Sequence, residues 1–68
     1  MKLSKIVKKV DQIKELAAEM PIDHEVCTLL EHELWEQVLH ATAMGKGSEA
    51  KAAAALETTK LPFLRRYS

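Results

Sequence analysis

Leu3, Ile6, Val10, Ile13, Ala17 and Met20 recur at spacings of 3, 4, 3, 4 and 3, and Pro21 follows at once. That alternation keeps one apolar stripe on one side of a helix, as the a and d positions of a heptad do. Val7 and Leu16 widen the stripe, while Lys2, Lys5, Lys8, Lys9, Gln12, Glu15 and Glu19 take the opposite side. Ser4 offers an N-cap, so the spacing predicts a first helix over about 4–20. Pro21 ends it, because the residue before a proline is pushed out of the α region.

The next segment carries its own start signal. Asp23 can accept from the free N–H groups of a helix, and Glu25 complements the positive end of its dipole. Ile22 and Cys27 fall at the two positions of a hydrophobic staple. A second helix is predicted over about 24–44, with a main stripe of Val26, Cys27, Leu30, Leu34, Val38, Ala41 and Met44. A connection of about three residues makes the two helices an antiparallel hairpin. Gly45 suits the left-handed position that closes the second helix, and Ser48 caps a third over about 49–60, rich in alanine. Pro62 then turns Phe63 and Leu64 back toward the hairpin. The expected fold is all-α: a helical hairpin plus a short third helix, one domain over residues 1–68.

Sixty-eight residues lie near the lower limit for independent folding. Cys27 is the only cysteine, so no disulfide can form within the chain, which fits a reducing compartment and a cytoplasmic location. No run of apolar residues approaches the roughly 20 that a membrane helix needs. Two glycines and two prolines supply little turn chemistry for an all-β fold. Charge is zero overall but unevenly placed. Residues 1–20 carry five Lys against three acids, residues 21–44 five acids and no Lys or Arg, and residues 45–68 five basic residues against two acids. An acidic middle between basic flanks can pair with itself on folding.

The chemistry-bearing residues form no familiar set. His24, His32 and His40 are spaced by eight, so they spiral around the second helix and cannot meet on one metal. His24, Cys27 and Glu31 share a side, but a structural zinc site wants four ligands and there is no second cysteine. Cys27 as a nucleophile would need an oriented base and an enclosed pocket. Gly45-Lys46-Gly47-Ser48 lacks the spacing and the preceding strand of a phosphate loop, although Lys46 and Ser48 could hold a phosphate at a helix start. No catalytic residue, metal or cofactor is expected, and the chain does not read as an enzyme.

A second apolar edge on the middle helix points to a binding role. Trp35 and Leu39, with Thr28 and Ala43 beside them, lie roughly 80–160° around the helix from Cys27, outside the main stripe. The third helix and Phe63-Leu64 either cover this edge or leave it to another chain. The leading expectation is a helical protein–protein interaction module, of the adaptor, inhibitor or accessory kind found in phages and mobile elements. It would form a homo-oligomer and act on a larger protein. Its contacts would be Trp35, Leu39, Phe63 and Leu64, with Glu33 and Glu36 steering a basic partner. One alternative is nucleic-acid binding through Lys2, Lys5, Lys8, Lys9, Arg65 and Arg66. Another is a small ligand or nucleotide held in a pocket between subunits.

Overall fold

A computed structural model describes residues 1–65. It is all-helical. Helix α1 spans Leu3–Ala17, α2 spans His24–Ala43 and α3 spans Glu49–Leu56, followed by a 3-10 turn at Glu57–Lys60. Every pair of helices is in contact, so the three form a small bundle, 39 × 25 × 14 Å in extent. None of the described helices is long and apolar enough to cross a membrane.

The boundaries follow local chemistry, with two corrections. Ser4 does not cap α1; the helix starts one residue earlier, with Lys2 as N-cap and no side-chain bond to it. The expected end at residue 20 also falls back to Ala17: Ala18 donates to Lys14 and Glu15, and the chain then turns toward Pro21. Met20 therefore leaves the stripe and stands 90% exposed. The start of α2 is as expected. Asp23 accepts from the Val26 N–H at 3.1 Å, and Ile22 packs against the core that holds Cys27.

The end of α2 is a Schellman motif. Gly45 takes φ +79°, its N–H donates to Thr42 O at 3.0 Å, and the Lys46 N–H donates to Ala41 O at 2.8 Å. Ser48 caps α3 through the Lys51 N–H at 3.2 Å. The third helix is α-helical only to Leu56, then tightens into the 3-10 turn, which leads to an extended tail at 62–65.

Ile6, Ile13 and Ala17 of α1, Cys27, Leu34 and Val38 of α2, Ala55 of α3 and Phe63 of the tail make the apolar core. Leu3, Val7, Val26 and Met44, expected on the stripes, are all at least 40% exposed. On α2 the centre of burial is shifted away from the expected stripe, toward Thr28, Glu31 and Trp35. Glu31 is completely buried, and Thr28 and Thr58 are buried with it. The reason is the tail, which packs on α2 beside the sector that meets α1.

Candidate protein-interaction face

His24, Thr28, Glu31 and Trp35 recur at i, i+4, i+7 and i+11 on α2, within roughly 60° of one another. They form a ladder of polar groups that receives α3 and the tail. The His24 Nδ1 accepts from the Leu64 N–H at 2.9 Å, and the Thr28 hydroxyl donates to Leu64 O at 3.2 Å. The Trp35 indole N–H is shared between Ala55 O and Thr58 Oγ1, each at 3.1 Å.

Glu31 and Arg65 form the strongest rung. The Arg65 Nε donates to Glu31 Oε1 at 3.2 Å and its Nη2 to Oε2 at 3.1 Å, a two-pronged pair. The carboxylate side chain is 0% exposed and the guanidinium 26%. Arg65 also donates to the carbonyls of Leu61, Phe63 and Thr58, and its guanidinium lies 4.1 Å from the centre of the Phe63 ring. One arginine thus fastens the tail to itself and to the middle helix.

This arrangement divides the expected contact residues. The edge carrying Trp35 is covered only in part by α3 and the tail, between the two outcomes the sequence allowed: the indole is partly buried with its N–H bonded to Ala55, while Leu39 and Ala43 on the same edge stay exposed. Phe63, expected to meet a partner, is 3% exposed and belongs to the core, because Arg65 and the tail fold it inward. Leu39 and Leu64 remain exposed at 71% and 62%. They do not form one patch. Leu64 docks between His24 and Thr28, about 20 Å along α2 from Leu39 at 1.5 Å per residue. The third helix carries an exposed leucine of its own. Leu56 is 56% exposed and directly follows Ala55, whose carbonyl holds the Trp35 indole. Ala54 lines a groove with Val7 and Val10 of α1, so Leu56, about 160° around α3, points away from α1.

The charged candidates also separate. Glu33 and Glu36 line a groove with Lys5 and Lys9 of α1, and Glu36 pairs with His32 at 3.5 Å. Lys8 is exposed. Arg65 is committed to Glu31, which removes it from the proposed nucleic-acid set, and Arg66 lies outside the described residues. Cys27 is fully buried; burial, aided by the carboxylates of Asp23, Glu19 and Glu31, raises its thiol above the ordinary range. That is the direction opposite to an activated nucleophile. No group of three or more His, Cys, Asp or Glu side chains among the described residues could hold a metal ion. No protein family, curated protein or solved structure matches the chain.

Proposed function

We propose that the chain is a helical protein-interaction module that associates with a second copy of itself through Leu39 and Leu56. The supporting observation is a pair of exposed leucines, Leu39 at 71% on α2 and Leu56 at 56% on α3, on the helix that carries Trp35 and the helix whose Ala55 carbonyl holds its indole. Because hydrogen bonds to Ala55 and Thr58 already hold the indole, a partner would meet an ordered surface and incur little ordering cost. Glu33 and Glu36 lie in the neighbouring α1–α2 groove with Lys5 and Lys9, where they favour a partner presenting both signs of charge.

Sedimentation equilibrium across a range of concentrations tests this reading. The wild-type chain is expected to dimerise, and Leu39→Glu to weaken the dimer about 30-fold, the effect of losing roughly 2 kcal/mol at an interface centre. The helical circular dichroism should not change, since Leu39 is mostly solvated in the single chain. A wild-type chain that stays monomeric up to about 1 mM, a weak limit of association, would refute the proposal.

A further inference from the structure

The link between α2 and α3 is held more firmly than its two glycines suggest. Gly47 lies so close to the last turn of α2 that a Cβ there would fall 2.8 Å from Thr42 Cβ and 2.9 Å from its Cα. The Lys51 Nζ donates to Lys46 O at 3.1 Å, across the cap that Ser48 gives α3. This arrangement sets Lys46 and Lys51 beside Lys2 and Lys5 at the start of α1. The four lysines, with Met1 and Gly47, line an open depression of about 700 Å³. That volume lies within the range of small-molecule sites.

No acidic side chain lines the depression. Among the described residues, none of the four ammonium groups has a carboxylate within 4.0 Å. Glu49, in the first turn of α3, is about 160° around that helix from Lys51. Two separated stretches of chain, 2–5 and 46–51, thus bring four like charges to one place, where their summed field attracts anions. Elsewhere the basic residues are dispersed or balanced: Lys9 lines the groove of Glu33 and Glu36, which Lys5 and Lys46 also border on their far side, and Lys60 pairs with Glu57 at 3.1 Å. The charge is gathered at one end of the bundle, and where Lys5 and Lys9 continue it along α1 they share their groove with Glu33 and Glu36, which matches a compact anion of high charge better than an extended nucleic-acid backbone.

We infer that the depression lined by Lys2, Lys5, Lys46 and Lys51 binds a polyphosphate group, carried by a nucleotide or by inorganic polyphosphate. The test is an amide chemical-shift titration of the full chain with sodium tripolyphosphate, with adenosine triphosphate and a mixed-sequence single-stranded oligonucleotide in parallel. Expected is saturable one-to-one binding with shifts concentrated at residues 2–5 and 46–51. Lys2→Gln and Lys51→Gln should each weaken it about tenfold, as loss of one charge-assisted hydrogen bond does, and Lys8→Gln should leave it unchanged. Tighter binding of adenosine triphosphate would identify the carrier as a nucleotide, and equal or weaker binding as inorganic polyphosphate. Lys51 also supports the link, so Lys2→Gln, which removes no internal hydrogen bond, decides the matter if Lys51→Gln disturbs the fold. Shifts that do not saturate, shifts spread equally over Lys8, Lys14 and Lys60, or an oligonucleotide that binds more tightly and depends on Lys8 would each overturn the inference.

Discussion

Replacing Arg65 by Met removes the two-pronged contact to Glu31 and three hydrogen bonds to the carbonyls of Thr58, Leu61 and Phe63, while keeping a long apolar stem against Phe63. Breaking a buried ion pair by deleting one partner costs about 3–5 kcal/mol. Arg65 is about a quarter exposed, which puts its removal at the lower end, about 3 kcal/mol. A chain of 68 residues has a total stability on the order of 3–10 kcal/mol, so this one change consumes a third or more of it. At about 4–8 °C per kcal/mol for a domain of this size, the midpoint of thermal unfolding should fall by at least about 12 °C.

The reciprocal change, Glu31→Met, should cost less, about 2 kcal/mol. The guanidinium keeps its carbonyl acceptors and can swing toward water, whereas the carboxylate on the central helix is sealed at 0% exposure. The double variant should recover most of the loss, because two methionines fill the same space without any buried charge. Urea unfolding followed by the fluorescence of Trp35, the sole tryptophan, reads all three variants. The reasoning fails if Arg65→Met costs less than about 1 kcal/mol, or if the two single losses simply add in the double variant.

The Cys27 thiol should react with a disulfide reagent only on unfolding, at a rate set by opening of the core, because it is fully buried. Its pKa is raised in the folded chain, so its contribution to stability is complete below the unfolded thiol value of about 8.5 and is lost as pH rises toward the folded value. A stability profile no different in Cys27→Ala above that pH would contradict this. Gly47→Ala should destabilise the chain by about 1–3 kcal/mol, since the added methyl runs into Thr42. A loss below about 0.5 kcal/mol in thermal melts would exclude the contact.

The helices and their caps, Ser4 excepted, were legible because they depend on neighbours in sequence. Asp23, Gly45 and Ser48 each act within three or four residues, and each takes the place that its chemistry predicts. The early end of α1 was less legible: a heptad spacing carried on to Met20, but the turn into Pro21 takes over after Ala17. Among the candidate site residues, Leu39 and Leu64 are exposed. Phe63 is not, because its burial depends on an arginine two residues later reaching a glutamate 34 residues earlier in the chain. A trace of this was present in the sequence. Glu31 sits roughly 40° from Cys27 and 20° from Val38 on the helical wheel, in the middle of an apolar sector, where a carboxylate needs a cationic partner. Its membership of the acidic middle segment masked that position. The four-lysine depression left no such trace, since residues 2–5 and 46–51 meet only once the bundle closes.

The Trp35 end of the apolar edge of α2 is therefore shielded by a mixed solution, in which polar rungs align the tail and apolar groups fill behind it. An alanine-rich α3 brings little apolar area of its own, so burial alone would hold the tail over a range of positions. The ladder removes that freedom. Leu64 must sit where its N–H meets His24 and its carbonyl meets Thr28, and Arg65 must sit where both prongs reach Glu31. A slip of one residue along the tail would break all of these contacts together and withdraw Phe63 from the core. The buried pair thus contributes more to where the tail docks than to how strongly it docks. On that basis the double methionine variant should retain most of the stability yet lose the sharp dispersion of its tail amide signals, while Arg65→Met alone loses both.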